Sequence, residues 1–158
     1  FDVSEAATSI TLDVSVNGYC VIIVYAAEDW GVTKVVLGNS SNSETYITHH
    51  STSPDKFDFI AGNTLKTFSS STALTNDKHY AVMFNTSTQG VTTLYVNNAA
   101  QEGTKTNTSD PVFSQIGTTN SDNSTSLQGK IKEIIIYEKQ LVASERDQLY
   151  NYLSPLVS

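Results

Sequence analysis

The sequence predicts an all-β fold, an antiparallel β-sandwich with one short helix near the C-terminal end. Apolar and β-branched segments of five to nine residues recur along the 158-residue chain, and clusters of Gly, Asn, Ser and Asp separate them. A helical spacing of apolar residues follows only the last of these segments, so strands and helices do not alternate as in a parallel α/β fold. We predict one domain, residues 1–158, excerpted or processed from a longer chain because Phe1 is not a methionine.

Two kinds of strand are predicted along the chain. Residues 10–16 alternate between apolar and polar side chains, which predicts a strand with one buried face, and Asn17-Gly18 predicts the turn after it. Tyr19–Ala27 is apolar on both faces, which predicts a buried central strand. Further strands are predicted at Val32–Leu37, Thr45–Thr48, Phe57–Ile60, Leu65–Phe68, His79–Phe84, Gly90–Val96, Val112–Ile116 and Ile131–Tyr137. The polar stretches Gly38–Asp55 and Gln101–Asp110 predict loops.

The predicted helix starts at Ser144 as its N-cap, with Asp147 as a capping partner three residues on. Leu149, Tyr152 and Leu153 lie on one face at i, i+3 and i+4, and Pro155 ends the helix. A helix this short is not stable alone, so it must dock on the sandwich.

Ile134–Ile136 makes both sheet faces apolar at the preceding strand. One of these faces belongs to the core. We expect the helix to cover the other, and an oligomer interface is the alternative cover.

The segment LQGKIKEIIIYEKQLVASERDQLYNYL, residues 127–153, resembles the C-terminal signature of laminin G-like, concanavalin A-like jelly rolls. In that family a strand ending in Tyr leads through a corner into a short helix that ends in Tyr-Leu. The matching residues here are Gly129, Ile131, Glu133, Ile136, Tyr137, Leu141, Glu145, Leu149, Tyr152 and Leu153. The hairpin Leu94–Asn98 also resembles the family's Leu-Tyr-Val-Asn-Gly turn. The resemblance implies a jelly roll, a fold that serves lectins, adhesion modules, glycosidase accessory domains and viral surface proteins.

Composition excludes several classes of partner. The net charge is −7, with 16 acidic and 9 basic residues, so nucleic acid is not an expected partner. The longest apolar run, Tyr19–Ala27, is about half the length that a membrane span requires. Ser, Thr and Asn make up about a third of the chain, which is typical of secreted β-proteins and virion proteins. We therefore expect an extracellular or virion surface location, with the lone Cys20 as a buried apolar side chain.

The family also includes glucanases, whose catalytic strand carries the pattern Glu-x-Asp-x-x-Glu. Here Glu133 and Glu138 have the outer spacing, but Ile135 stands at the middle position and cannot hold or tune a nucleophile. Glu133 also matches the family's structural glutamate. We therefore predict that the protein is not an enzyme.

Candidate ligand-binding residues lie in three places. Trp30, beside Asp29, is the one tryptophan, and its ring would stack on a sugar if exposed; the alternative is a tryptophan that caps the core. Tyr46 is a second aromatic candidate. His49 and His50 are candidate metal ligands, although neighbours on a strand point to opposite faces and a solvated loop pair is the alternative.

Calcium is the one cofactor that the resemblance suggests. Asn120, Asp122 and Ser124 alternate oxygen ligands in a polar loop, although the segment lacks several carboxylates. A polar loop without a bound metal is the alternative.

These observations favour a non-catalytic recognition or adhesion module that binds glycan or protein ligands. The alternative is a structural virion protein, a capsid decoration or fibre subunit that assembles with other virion subunits or with copies of itself. A laminarinase-type glycosidase is a distant third. The strand YCVIIVYAA, residues 19–27, discriminates between the first two, because recognition predicts that one protomer covers both of its faces.

Overall fold

A computed structural model describes residues 10–39, 45–49, 56–117 and 126–157. The strands are β1 (Ile10–Thr11), β2 (Tyr19–Ala27), β3 (Lys34–Gly38), β4 (Tyr46–His49), β5 (Lys56–Ala61), β6 (Thr64–Ser69), β7 (Tyr80–Thr86), β8 (Val91–Val96), β9 (Ala99–Thr106), β10 (Val112–Phe113), β11 (Gln115–Ile116) and β12 (Gly129–Tyr137). A single helical turn, α1 (Val14–Asn17), precedes β2. The helix α2 (Ala143–Leu153) follows β12 and leads into a 3₁₀ turn, Ser154–Leu156.

The strands form two antiparallel five-stranded sheets, and the predicted sandwich is confirmed. The first sheet has the order β12-β2-β7-β8-β9, and the second sheet has the order β11-β3-β4-β5-β6. The short strands β1 and β10 pair with each other. Strands distant in sequence are therefore neighbours, as expected of a jelly roll.

The main core lies between the two sheets. Alternate residues of β2, Tyr19 to Tyr25, point inward, and on the second sheet they face an aromatic set that includes Phe57, Phe59 and Phe68. The Phe59 and Phe84 ring centroids lie 5.4 Å apart, within the range of favourable aromatic pairs. Bulky rings thus fill the space between the sheets.

The helix α2 covers the outer side of β2 and part of its neighbouring strands in the first sheet, as the apolar strand β12 predicted. Leu149 and Leu153 pack against Cys20, Ile22 and Val24, which are the outward residues of β2. All nine residues of β2 are buried. Burial raises the pKa of the Cys20 thiol to about 12, so Cys20 is a protonated apolar side chain as predicted.

The strand predicted over residues 10–16 is wrong beyond Thr11. Asp13 caps a helical turn, because its Oδ1 accepts hydrogen bonds from the backbone N–H groups of Ser15 at 2.9 Å and Val16 at 3.3 Å. This local capping outweighs the alternating pattern. Gly18 then enters β2 at φ 66°, where an added Cβ would lie 2.2 Å from the Thr86 carbonyl oxygen.

Three other expectations also need correction. Most of the predicted loop Gln101–Asp110 belongs to β9, which pairs with β8 after a hairpin in which Asn97 and Asn98 have positive φ. The predicted strand Val112–Ile116 is two short strands, since β10 pairs with β1 and β11 pairs with β3. The helix begins one residue before Ser144, and Glu145 Oε2 accepts a hydrogen bond from the Val142 backbone N–H at 3.0 Å.

Candidate functional site

The outer face of the second sheet carries a row of polar and aromatic side chains that point away from the core. Strand alternation separates its two faces, since Ile47, Phe57 and Phe68 point into the core. Their neighbours Tyr46, Thr48, Asp58, Ile60, Leu65, Thr67 and Ser69, together with Lys56, therefore point outward. We call this set the outer face.

A polar row crosses the middle of the outer face. Thr48 on β4 pairs with Asp58 on β5, and Asp58 pairs with Thr67 on β6. The Thr67 hydroxyl donates a hydrogen bond of 2.6 Å to Asp58 Oδ1. Thr48 is 2% exposed and Asp58 is 8% exposed. The row therefore forms the floor of the outer face.

The Thr48 hydroxyl is the least satisfied group of this row. Its Oγ1 is buried and makes no hydrogen bond to any residue that the structure describes. A buried hydroxyl without a partner costs about 1–3 kcal/mol, so native proteins contain few of them. The floor of the outer face thus contains one carboxylate acceptor and one hydroxyl with unused hydrogen-bonding capacity.

A second row supplies apolar surface. Tyr46 pairs with Ile60, and Ile60 pairs with Leu65, which is 52% exposed. Burial, followed by the negative charge of Asp58, raises the pKa of the half-buried Tyr46, so its phenol is neutral at physiological pH. An aromatic ring therefore lies near a carboxylate at the rim of the outer face.

Trp30 does not lie on a binding surface, so the expectation that it stacks on a sugar is wrong. It is 1% exposed, and its ring centroid lies 4.9 Å from that of His49 and 5.0 Å from that of Tyr25. Its Nε1 donates a hydrogen bond of 3.1 Å to the Thr75 carbonyl oxygen. Trp30 is thus the core-capping tryptophan of the alternative prediction.

The Asp29 side chain is exposed, but its hydrogen bond is made within its own loop. Its Oδ1 accepts a hydrogen bond of 2.8 Å from the Gly31 backbone N–H and so closes a tight turn. Asp29 and Tyr46 therefore do not converge with Trp30 on one surface.

His49 is a core residue, which contradicts both its candidate roles, metal ligand and solvated loop residue. It is fully buried, and neither ring nitrogen forms a hydrogen bond of normal geometry with a described residue. Burial lowers its pKa to about 4; nearby Lys34 also lowers it, while backbone groups of Asp29 and Val32 favour the charged form. His50 lies outside the described residues.

The calcium candidates Asn120, Asp122 and Ser124 also lie outside the described residues. Within the described ranges, no group of three or more His, Cys, Asp or Glu side chains could hold a metal ion. The calcium prediction therefore stays untested.

A family model matches most of the sequence. Its description is the concanavalin A-like lectin/glucanases superfamily, and it matches residues 8–145. The chain belongs to this superfamily. The resemblance seen in residues 127–153 is thereby confirmed.

The same fold occurs in solved structures of lectin-like proteins and of an enzyme. A heptameric SAP-like pentraxin from Limulus polyphemus has a TM-score of 0.68 at 14% identity, over 84% of this chain and 67% of the pentraxin chain. A proposed carbohydrate-binding protein from Bacteroides ovatus has a TM-score of 0.64 at 13% identity, over 94% of this chain and 42% of that one. A search of curated proteins found no match.

A sialidase from Trypanosoma rangeli also shares the fold. Its TM-score is 0.61 at 13% identity, over 89% of this chain. The present chain spans only 24% of the sialidase chain. At these identities the similarity establishes the fold alone.

Superfamily membership covers lectins and glucanases alike, so catalysis has to be judged from the residues. Glu133 lies within β12 and Glu138 just beyond its end. The two residues keep the outer spacing of the glucanase pattern Glu-x-Asp-x-x-Glu, but the apolar Ile135 occupies its middle position. The strand therefore lacks the middle carboxylate of that catalytic pattern.

Two shallow depressions lie away from the outer face. One of about 210 Å³ is lined by Tyr137, Lys139, Leu141, Glu145, Gln148 and Leu149. The other, of about 190 Å³, is lined by Thr11, Asp13, Val16, Asn17 and Glu138. Both are smaller than the roughly 300–1,000 Å³ typical of small-molecule pockets. Neither described helix is long and apolar enough to cross a bilayer.

The sequence contains one signal for the outer face. In Phe57-Asp58-Phe59 a carboxylate stands between two core phenylalanines, so it must point away from the core. Its partners Thr48 and Thr67 come from separate strands, and only the strand register brings them together.

Proposed function

We propose that this chain is a non-catalytic recognition module that binds glycans through the outer face of the second sheet, on an extracellular or virion surface protein. The proposal rests on the difference between the outer faces of the two sheets. The helix α2 packs on the outer face of the first sheet. The outer face of the second sheet has a half-buried aromatic ring and half-buried hydroxyls around the buried carboxylate of Asp58, with Leu65 exposed at its edge.

The chemistry of the outer face suits a sugar. Sugar hydroxyls exchange hydrogen bonds with carboxylates and hydroxyls, and the C–H faces of the sugar ring pack against apolar and aromatic side chains. Tyr46, Lys56, Thr67 and Ser69 are half-buried, so a ligand would meet them before it reaches Asp58. An extended glycan lying across strands matches such a face better than a small molecule in an enclosed pocket does.

The structural virion role is less well supported. In that role the apolar strand β2 would form the contact with other subunits. However, α2 of the same chain covers the outer side of β2. Among the described strands of the first sheet, β9 stands at one edge and carries Gly103 at φ 62° beside an irregular register with β8. Such irregularities discourage edge-to-edge pairing.

A glycan array, probed with the purified chain in calcium and then in chelator, tests this proposal. Leu65→Arg places a long charged side chain on the outer face, and we expect it to abolish binding. Thr104→Arg, at an exposed position on β9 of the first sheet, is the matched control and should bind as the unmodified chain does. A blank array for the unmodified chain in both buffers would reject glycan binding. Equal binding by Leu65→Arg would reject the outer face as the binding surface.

A further inference from the structure

Two buried asparagines are also acceptors for N-linked glycans by their sequence. Asn85-Thr86-Ser87 and Asn107-Thr108-Ser109 both match the Asn-x-Ser/Thr sequon, in which the glycan is attached to the asparagine Nδ2. We infer that a glycan on either asparagine is incompatible with the fold. The chain therefore folds in a compartment without N-linked glycosylation, whatever ligand its outer face binds.

Asn85, on β7, has no room for a glycan. It is 2% exposed, and its Nδ2 donates a hydrogen bond of 2.9 Å to the carbonyl oxygen of Leu141, in the corner between β12 and α2. Its Oδ1 accepts a second hydrogen bond, also of 2.9 Å, from the Leu141 N–H. Leu141 is itself buried, so a glycan on Nδ2 would push this corner away from β7. The corner leads into α2, which would then lose its position over β2.

Asn107 uses both hydrogens of its amide. Its Nδ2 donates to the Ala61 carbonyl oxygen at 3.0 Å and to the Thr64 carbonyl oxygen at 3.2 Å, and its Oδ1 accepts from the Ser109 N–H at 3.0 Å. These bonds tie the end of β9 to the turn between β5 and β6. A glycan replaces one of the two amide hydrogens, so one carbonyl oxygen must lose this donor. Because Asn107 is 5% exposed, the glycan would also separate β9 from that turn.

Burial in the folded chain does not protect Asn85 from modification. In a glycosylating secretory compartment, the transferase acts on chains that are still being made and have not yet folded. The partner of Asn85, Leu141, lies 56 residues later in the sequence. Asn85 therefore stays accessible until that residue has been synthesised, and it would meet the enzyme as an open acceptor.

The cysteine content agrees with a compartment of this kind. Cys20 is the one cysteine of the chain, so an intrachain disulfide cannot form, as is common for proteins that fold in a reducing cytosol. The proposed extracellular or virion surface location would then be reached after folding, or from a cell that adds no such glycans.

Expression behind a signal peptide in a eukaryotic secretory host tests the effect of the glycans. Every protein in the test carries Ser41→Ala and Thr125→Ala, which remove the two further sequons at Asn39 and Asn123. In this parent protein only Asn85 and Asn107 can be modified. We expect glycosylated parent molecules, identified by a mobility shift that a peptide N-glycosidase reverses, to be retained in the cell and lost from the medium.

The rescue variant adds Ser87→Ala and Ser109→Ala to the parent. These changes remove both remaining sequons and keep both asparagines, so the variant should be secreted, folded and free of N-linked glycan. Thr104→Asn, added to the rescue variant, is the matched control, because it creates an Asn-Lys-Thr sequon at an exposed position of β9. This control should be glycosylated and still be secreted.

The same proteins made in a bacterial cytosol separate the glycan from the substitutions, and all of them should fold there, as measured by circular dichroism. Secretion of a folded parent with a glycan on Asn85 or Asn107 would overturn the inference. So would secretion of a folded parent that the host leaves wholly unmodified, because the secretory route would then be open to this chain. Retention of a rescue variant that folds in the bacterial cytosol would also overturn it, because the glycan would not be the obstacle. Each of these outcomes leaves glycan binding by the outer face untouched.

Discussion

At the scale of single residues, the buried imidazole of His49 makes the stability of the folded chain depend on pH. It packs against Trp30 and Tyr25, and burial lowers its pKa to about 4 from an ordinary value of 6.5. Between these two pH values the folded chain keeps His49 neutral while the unfolded chain protonates it. Unfolding therefore takes up a proton in this window, and stability falls as the pH falls.

We expect this group to cost the folded state about 3 kcal/mol at pH 4 relative to pH 7. His49→Phe keeps an aromatic ring in the cluster and should remove this part of the acid sensitivity. Urea unfolding of both proteins at pH 7.0 and pH 4.0 measures the difference. An identical pH dependence in the two proteins would show that the imidazole does not titrate differently on folding.

Asn85 is a second residue whose role follows from its hydrogen bonds. Its Nδ2 donates to the Leu141 carbonyl oxygen and its Oδ1 accepts from the Leu141 N–H, both at 2.9 Å, in a buried position. Asn85→Ala would leave the buried Leu141 N–H unpaired, whereas the Leu141 carbonyl oxygen would keep its hydrogen bond from Arg146, so the free energy of unfolding should fall by about 2 kcal/mol. Asn151→Ala, on the exposed side of α2, should change it by less than about 0.5 kcal/mol. Chemical denaturation compares the two, and equal losses would contradict a specific role for Asn85.

At the scale of elements, α2 acts as the cover of the first sheet. Leu153 is fully buried against the outward side chains of β2, whereas Tyr152, which the sequence predicts on the same apolar face, is 64% exposed. Leu153→Ala should lower the free energy of unfolding by about 3 kcal/mol and expose apolar surface that promotes self-association. Tyr152→Ala should leave both stability and association nearly unchanged. Denaturation and analytical ultracentrifugation test both effects, and a monomeric, fully stable Leu153→Ala would contradict this role of the helix.

The elements that the sequence predicts well are those whose side chains face apolar surroundings. The run Tyr19–Ala27 predicts a strand buried on both faces, and Ile134–Ile136 predicts the helix that covers one of them. The strand β9 was missed because its mostly polar, exposed residues resemble a loop; backbone pairing with β8 makes it a strand. The turn at Val14–Asn17 was missed because the Asp13 side chain, not the apolar pattern, decides the local conformation.

The candidate site depends on packing and strand register, which the sequence pattern does not reveal. Trp30 was predicted as a binding residue from its type and loop position, but only the packed structure reveals that Tyr25 and His49 surround it. Thr48, Asp58 and Thr67 carry no motif along the chain. Their association depends on the register of three strands, which the sequence pattern of any one strand does not determine.

At the scale of the whole molecule, the two sheets differ in what lies on their outer faces. The first sheet has the second sheet on its inner face and α2 over the outer side of its central strand β2. The second sheet has its core on one side and its polar and aromatic row on the other. Apolar burial determines the superfamily's architecture, whereas under the proposed function a few outward side chains would determine ligand choice. This is why fold could be argued from sequence further than function.

The position of β2 also affects how the chain reaches its native state. Its pairing partners are β7 and β12, and Val21 lies opposite Ile136, more than a hundred residues later in the sequence. Closing so long a loop is slow, because its entropy must be lost before the pairing is gained. During synthesis the most apolar strand therefore leaves the ribosome long before β12 and α2 exist to shield it. The nascent chain passes through a period in which this segment depends on chaperones or transient contacts for protection from aggregation.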